Sequence, residues 1–213
     1  MAKQLGFQRV LVLAPHTDDA ELGAGATLAR LQQEGAAITS VAFSDCRESV
    51  PAGFDPLVLR QEIVAAHTQL GIKDVRVLDF NVRYFPRDRQ EILEAMVALV
   101  KELQPDLVLC PMRSDIHQDH QVIAQEAIRA GKKSTIWGFE LPWNNLTLDN
   151  PLFVEVSEDQ LMAKVRALAA YESQGFRSYS NEATLRSLAH VRGIQSGYAL
   201  AESFEVIRWK VSL

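Results

Sequence analysis

Residues 9–31 read RVLVLAPHTDDAELGAGATLARL, and the character of the chain changes twice along this stretch. Residues 9–14 form a short apolar run, which is typical of a strand buried on both faces of a parallel sheet. A polar segment follows, and residues 21–34 then carry apolar residues at helical spacing up to Gly35, which favours a helix end. Strand, polar loop and helix in this order predict the first β-α unit of an α/β protein.

The same alternation continues along the rest of the chain. Further strands are predicted at residues 37–43, 75–80, 106–110, 135–141, 151–156 and 203–211, and further helices at residues 55–70, 89–103, 119–130 and 158–172. Asp55 and Ser157 are the expected caps of the first and last of these helices. We therefore expect a single domain over residues 1–213 with a three-layer, Rossmann-like α/β fold. Its mostly parallel sheet would carry helices on both faces and have the strand order 3-2-1-4-5.

Composition limits the classes of partner. The chain has 213 residues, of which 47% are hydrophobic and 23% charged, as in an ordinary globular protein with one core. Its net charge of -5 gives no electrostatic reason to bind nucleic acid or an anionic membrane. The N-terminal apolar run is too short for a membrane span or a signal sequence. Cys46 and Cys110 lie far apart and indicate no disulfide framework, so we expect a reduced, cytoplasmic setting.

Two short polar clusters carry three of the five histidines. His16 lies in PHTDDAE after the first predicted strand, and His117 and His120 lie in DIHQDH after the fourth. Strands 1 and 4 are neighbours in the expected order, and their carboxyl ends flank the topological switch point where ligands bind in such sheets. The predicted fold therefore brings the two distant clusters into one crevice.

The residue types in this crevice suit metal-assisted hydrolysis. Besides the three imidazoles, the clusters supply the carboxylates of Asp18, Asp19 and Asp119. Catalytic zinc takes three nitrogen or oxygen ligands from the protein and keeps a position for water, whose pKa falls to about 7. A spare carboxylate can then act as general base, and a spare histidine can assist the leaving group or the oxyanion.

Other interpretations of the same residues are open. Asp18, Asp19 and Asp119 could instead cap the helices that follow them, which would suit a non-catalytic sugar- or nucleotide-binding module. A metal-dependent hydrolase of another ester or a phosphoester could use the same crevice. The segment GAGATL resembles a dinucleotide-binding loop, but Leu28 stands where the third glycine belongs and the nearby acids would repel a pyrophosphate. Its glycines, at 23 and 25, are expected to permit close packing of helix and strand.

Three segments together resemble a known family. HTDDAELGAGATLA resembles the H-P-D-D-x-E-L-G-x-G-G-T motif of the PIG-L/LmbE-like zinc-dependent N-deacetylases, and HQDH is similar to their H-x-D-H motif. Between the two, LRQEIVAAHTQLGI is similar to the family's arginine-containing helix. The resemblance runs from about residue 9 to residue 145 and continues more weakly through AYESQ and the last strand.

The resemblance implies the metal site and the reaction. It makes His16, Asp19 and His120 the ligands of Zn²⁺, with Fe²⁺ as an alternative metal. It implies hydrolysis of an N-acyl group, above all N-acetyl, from a sugar-like substrate such as N-acetylglucosamine. The implied partner is thus a small N-acylated sugar or amine. We expect no nucleic-acid partner and no membrane span in the chain. The sequence indicates no oligomeric state.

The resemblance also assigns roles around the metal. Asp18 would be the general base on the metal-bound water. His117 would stabilise the tetrahedral oxyanion or protonate the leaving amine, with Asp119 orienting it. Arg60 matches the family arginine that lies near the substrate, although an arginine on an amphipathic helix is also a common surface charge.

Two further stretches are candidates for substrate contacts. GFELPWNNLT follows the fifth strand and carries Glu140, Trp143 and Asn144, which suit the apolar face and the hydroxyls of a sugar. The alternative is a loop in which Trp143 is a core anchor. A second polar stretch lies between the third strand and the helix that follows it, and it carries Arg83, Tyr84, Arg87 and Arg89. These side chains could bind a phosphate or carboxylate of the substrate, or they could simply be exposed to solvent.

Overall fold

The computed structural model describes residues 4–147, 149 and 151–211, which contain seven strands and six α-helices. In chain order these are β1 (Arg9–Ala14), α1 (Asp19–Gln33), β2 (Ala37–Ala42), α2 (Val58–Gln69), β3 (Asp74–Val77), α3 (Arg89–Leu103), β4 (Leu107–Pro111), α4 (Gln118–Ala130), β5 (Thr135–Phe139), β6 (Leu152–Glu155), α5 (Glu158–Ala169), α6 (Glu182–Ser196) and β7 (Ala201–Arg208).

All seven strands belong to one sheet with the order β3-β2-β1-β4-β5-β7-β6. Strands β1 to β5 are parallel to one another, and the predicted order 3-2-1-4-5 is confirmed. Strand β7 lies antiparallel to β5, and β6 lies antiparallel to β7. The sheet is therefore mostly parallel, as expected, with an antiparallel extension at one side.

The alternating side chains of β1 separate the two cores. Val10 and Val12 pack into the cluster formed with α1, α2 and α5, whereas Leu11 and Leu13 pack into the cluster formed with α3 and α4. Each of these four side chains is at most 2% exposed, and burying such a side chain contributes about 1.5–3 kcal/mol. The apolar run of β1 thus reflects burial on both faces, and the three-layer architecture is confirmed.

Helix α1 packs closely because it carries glycine at two contact positions. A Cβ on Gly23 would lie 2.3 Å from Cδ2 of Phe139 at the end of β5. A Cβ on Gly25 would lie 2.8 Å from Cγ of Lys164 in α5. The first glycine serves the expected helix–strand contact, whereas the second serves a contact between helices.

Two helices differ from the sequence expectation. Helix α2 begins three residues later than predicted, because Asp55 accepts the N–H of Leu57 at 2.7 Å and forms a turn ahead of the helix. Helix α6 was not predicted from the sequence. Its buried side includes Arg192 beside Leu185 and Ala189, so the apolar spacing that indicates a helix is interrupted.

Helix α5 has the expected cap, since the side chains of Ser157 and Gln160 form a reciprocal capping box. It ends at Ala169, three residues earlier than predicted. Both Cys46 and Cys110 are buried free thiols. Within the described part of the chain, no helix combines the length and the apolar character needed to cross a membrane.

Candidate metal centre and active-site cavity

The two histidine clusters meet at the carboxyl ends of β1 and β4. These strands are direct neighbours in the sheet. His16 follows β1 by two residues, and His120 lies in the first turn of α4, which follows β4. Nδ1 of His16 lies 3.2 Å from Nε2 of His120, although 104 residues separate them in sequence. The predicted meeting of the clusters in one crevice is confirmed.

Three donor atoms lie at nearly equal distances from one another. Nδ1 of His16 is 3.1 Å from Oδ2 of Asp19, and Nε2 of His120 is 3.3 Å from the same oxygen and 3.2 Å from Nδ1 of His16. Ligands around a tetrahedral zinc ion with bonds of about 2.0–2.2 Å are separated by about 3.3–3.6 Å. The spacing and the chemistry of this set therefore fit a divalent cation that prefers nitrogen and oxygen.

Each of the two histidines is oriented by a carboxylate on its other ring nitrogen. Nδ1 of His120 lies 2.8 Å from Oδ2 of Asp115, and both side chains are buried. Nε2 of His16 lies 3.1 Å from Oδ2 of Asp119. Such partners fix the tautomer and direction of a ligating imidazole. Sequence reasoning missed Asp115, although it is the first residue of the DIHQDH cluster.

The contacts of Asp119 differ from the expectation that it orients His117. Its carboxylate approaches His16 and accepts the backbone N–H groups of Arg83 at 2.6 Å and Phe85 at 3.3 Å. Towards His117 it offers only its backbone N–H, which donates to Nδ1 of the ring at 3.2 Å. The reason is geometric: His117 caps α4, so its ring faces the helix backbone. Asp119 therefore orients His16 and the loop after β3.

His117 presents one ring nitrogen to the helix and leaves the other available. Because Nδ1 accepts the N–H of Asp119, the neutral ring carries its proton on Nε2. Burial and the neighbouring His120 and His16 together lower the pKa of His117 to about 4, against the opposing effect of Asp119 and Asp19. The ring is thus a neutral hydrogen-bond donor at neutral pH.

Asp18 stands at the N-terminus of α1 without capping it through its side chain. Its Oδ2 instead pairs with Nη1 of Arg177 at 3.2 Å. Burial and the adjacent Asp19 raise the pKa of Asp18 to about 6, against the opposing effect of Arg177 and His16. The capping alternative therefore does not describe Asp18.

Asp19 behaves in the opposite way. Its Oδ2 accepts the backbone N–H of His16 at 2.8 Å and faces both candidate histidine ligands. Burial would raise the pKa of Asp19, but His120 and His16 outweigh it and hold the pKa well below its ordinary value. Asp19 is thus the anionic member of the pair, as a metal ligand must be.

A cavity of about 280 Å³ opens over this centre. Trp143 and Asn144, two of the predicted substrate residues, line it. The indole of Trp143 is 41% exposed and stacks on Tyr179, with ring centroids 4.2 Å apart and planes 20° apart. Trp143 is therefore a wall of the cavity rather than a core anchor.

Glu140 and Arg60 do not line this cavity. The buried carboxylate of Glu140 accepts from Arg192 at 2.6 and 2.8 Å and from the hydroxyl of Ser203 at 2.6 Å, so it ties the end of β5 to α6 and β7. Arg60 donates to Asp45 at 3.0 Å and to the carbonyl of Val77 at 3.2 Å. Both expected substrate residues are therefore engaged in contacts within the protein.

The segment between α5 and α6 supplies three cavity residues that sequence reasoning missed: Gln174, Arg177 and Tyr179. The segment is held by Glu62 of α2, which accepts the backbone N–H of Ser173 at 2.8 Å and its hydroxyl at 2.6 Å. The AYESQ pattern at residues 170–174 was the available signal, because it ends at Gln174 and lies just ahead of Arg177 and Tyr179.

A buried network supports the loop that carries Asp18. The hydroxyl of Tyr171 lies 2.5 Å from the carbonyl oxygen of Thr17 and 2.9 Å from Oε1 of Glu21. Nδ1 of His67 lies 2.9 Å from the same carboxylate oxygen. The network thus connects α1, α2 and the end of α5 to the peptide that precedes Asp18.

Comparisons with known proteins agree with this geometry. The family model of PIG-L, described as GlcNAc-PI de-N-acetylase, matches residues 11–131. An uncharacterised deacetylase, YaiS, of Escherichia coli K12 is 29% identical over 171 residues, covering 77% of this chain and 90% of that protein. Diacetylchitobiose deacetylase of Thermococcus kodakarensis is 25% identical over 224 residues, covering 94% of this chain and 83% of that protein.

The fold has a solved counterpart. The N,N'-diacetylchitobiose deacetylase from Pyrococcus horikoshii, in complex with its inhibitor MPG, superimposes with a TM-score of 0.79 at 22% sequence identity. The match covers 95% of this chain and 84% of that one. Because the family model spans more than half of the sequence and includes both histidine clusters, the chain belongs to the PIG-L family.

Proposed function

We propose that the protein is a metal-dependent N-deacetylase that hydrolyses the N-acetyl group of an amino sugar. One observation carries the proposal. The three nitrogen and oxygen atoms that could bind a metal lie beside the carboxylate of Asp18 and the neutral imidazole of His117, and both of these side chains line the cavity. The named activity of the Thermococcus relative, a diacetylchitobiose deacetylase, supports the substrate class.

The residues that would hold the metal are His16, Asp19 and His120. A zinc ion bound there would supply Lewis acidity and lower the pKa of a water ligand to about 7. Fe²⁺ is an alternative because imidazole and carboxylate also suit this ion.

Asp18 is suited to accept a proton from the attacking water. Arg177 engages its Oδ2, whereas Oδ1 has no hydrogen-bond donor among the described residues. Because the guanidinium of Arg177 holds one oxygen of the carboxylate in place, the other oxygen keeps a fixed position from which it can accept a proton. The burial of Asp18 also raises its pKa, which makes it a stronger base than an ordinary aspartate.

His117 is suited to stabilise the other end of the reacting amide. Its Nε2–H can donate a hydrogen bond to the oxygen of the carbonyl as negative charge develops there, and the proton that Asp18 accepts from the water can pass on to the leaving amine. The cap bond from Asp119 fixes the ring, so the donor needs no reorientation during the reaction.

The sugar would contact Trp143 and Asn144. One face of the indole is covered by Tyr179, and the exposed part of Trp143 offers an apolar surface to a sugar ring. The amide of Asn144 lies beside it in the cavity wall and can bind hydroxyl groups.

The first functional test is acetate release from N-acetylated amino sugars by wild-type protein and Asp18→Asn. This substitution keeps the shape of the side chain and removes the base. We expect kcat to fall by about 10²–10⁴-fold while the metal content stays unchanged. Asp88→Asn is the matched control, because Asp88 lies outside the cavity and pairs with Arg87.

Three other results would contradict the proposal. Release of phosphate from phosphoesters without release of acetate would indicate a phosphoesterase in the same crevice. Sugar binding without turnover of any acylated amine would indicate a binding module. Full activity of Asp18→Asn would remove Asp18 from the reaction.

A further inference from the structure

Arg83 lies at the edge of the metal centre in an uncommon backbone conformation. Its φ of 72° falls in the left-handed region, which residues other than glycine rarely adopt. The backbone N–H of Arg83 donates to Asp119 at 2.6 Å, and the same carboxylate oxygen contacts His16. The metal centre thus fixes the main chain at Arg83, and an unfavourable conformation kept beside a reactive site suggests a role for the residue there.

The guanidinium of Arg83 carries an uncompensated charge. It lines the cavity, and its one side-chain hydrogen bond is a 3.3 Å contact to the hydroxyl of Ser49. Within the described ranges no carboxylate lies within 4.0 Å of it. The other arginines of this stretch and of the cavity are each paired with a carboxylate: Arg87 with Asp88, Arg89 with Glu126, and Arg177 with Asp18.

The charges that line the cavity favour a negatively charged ligand. Arg177 is paired with Asp18, and Asp19 faces the two candidate histidine ligands, so Arg83 is the charged group of the cavity wall that has no partner of opposite charge within 4.0 Å among the described residues. An unpaired guanidinium attracts an anionic group, whereas a neutral N-acetyl sugar offers it no charge to pair with.

We propose that Arg83 binds an anionic group of the substrate, a carboxylate or a phosphate attached to the N-acylated amino sugar. The planar fork of arginine binds either group through two parallel hydrogen bonds, which a hydroxyl cannot match. The inference rests on the proposed deacetylase function and narrows its substrate class to anionic N-acyl amino sugars. Trp143 would contact the sugar ring and Arg83 its charged substituent.

The test compares kcat/KM for acetate release from neutral N-acetylglucosamine with three anionic probes: its 1-phosphate, its 6-phosphate and N-acetylmuramic acid. Wild-type protein is expected to favour at least one anionic probe by roughly 10- to 100-fold. The preferred probe distinguishes phosphate from carboxylate. Arg83→Gln is expected to abolish the preference while changing kcat/KM on the neutral sugar by less than about threefold.

Two further variants separate recognition from folding. Arg83→Gly suits the positive φ and is expected to lose the anion preference with an equal or higher Tm. Arg87→Gln removes an exposed arginine that does not line the cavity, and is expected to keep the preference. Equal kcat/KM of wild type on neutral and anionic probes would overturn the inference, as would an equal loss on all probes in both Arg83 variants.

Binding to the metal-free protein separates this inference from the proposed function. Calorimetric titration with N-acetylglucosamine 6-phosphate and with N-acetylmuramic acid should show binding that weakens at least about tenfold in Arg83→Gln. If metal-loaded wild type released no acetate while this difference persisted, the deacetylase proposal would fail and the anion site would stand. Anion binding that is equal in wild type and Arg83→Gln would overturn the anion site.

Discussion

Two buried carboxylates set the direction of the histidines at the candidate metal centre. Asp115 approaches Nδ1 of His120, and Asp119 approaches Nε2 of His16, so the remaining nitrogens of the two rings face each other and Asp19. Asp115 also accepts the backbone N–H of His117 at 2.8 Å. One carboxylate therefore positions a candidate ligand and the backbone of the adjacent candidate donor.

Asp115→Asn is expected to weaken metal binding by about 10–100-fold, because an amide orients the imidazole without raising its basicity. The measurement is competition for zinc with a chromogenic chelator. Asp159→Asn, an exposed change in the first turn of α5, should leave the affinity unchanged. Equal zinc affinity in wild type and Asp115→Asn would mean that His120 does not depend on this partner.

Helix α1 shows why local sequence can predict the position of a helix but not every contact that it makes. The glycines of this helix were expected to allow close packing, and Gly23 does so against Phe139. The contact of Gly25 with Lys164 depends on how α1 and α5, which lie far apart in sequence, pack together. The hydrophobic periodicity of the sequence carries no information about that packing. Helix α6 was missed for a related reason, since its buried Arg192 is accommodated by Glu140 from another element.

Gly23→Ala is expected to destabilise the fold by about 1–3 kcal/mol, because the added methyl group would overlap the ring of Phe139. Alanine is intrinsically a better helix former than glycine by about 1 kcal/mol. A loss of stability in the variant would therefore come from the packing against Phe139. Urea unfolding gives the difference. Gly175→Ala is the control, since its Cβ would have its nearest contact at 3.4 Å. An unchanged free energy of unfolding in Gly23→Ala would show that α1 has room to shift.

Across the whole molecule, the strand order explains how much of the site could be predicted. The alternation of strands and helices was sufficient to place β1 beside β4, and hence His16 beside His120. The side of the cavity that holds Arg177 and Tyr179 comes from an irregular segment between α5 and α6. A contact between Glu62 and Ser173 sets the path of this segment. No periodic pattern marks such a segment, so its position could not be derived from the sequence.

Removal of the metal should weaken the whole fold, because its candidate ligands connect the β1–α1 loop to α4 across 104 residues of chain. With zinc at about 100 times its dissociation constant, the free energy of unfolding should rise by about 2.7 kcal/mol relative to chelated protein. Urea unfolding with and without a chelator measures this. His120→Ala should show no such difference, and an equal effect of zinc on that variant would place the binding elsewhere.

The proposed function requires the two distant histidine clusters to form one metal site. Elemental analysis of purified wild-type protein, His120→Ala and the exposed control His190→Ala, each reconstituted with zinc and desalted, tests it most directly. About one zinc ion per chain is expected in wild type and in His190→Ala, and that ion should be lost in His120→Ala. Wild-type protein that holds no metal after reconstitution, or His120→Ala that retains it in full, would show that the two clusters do not form one metal site.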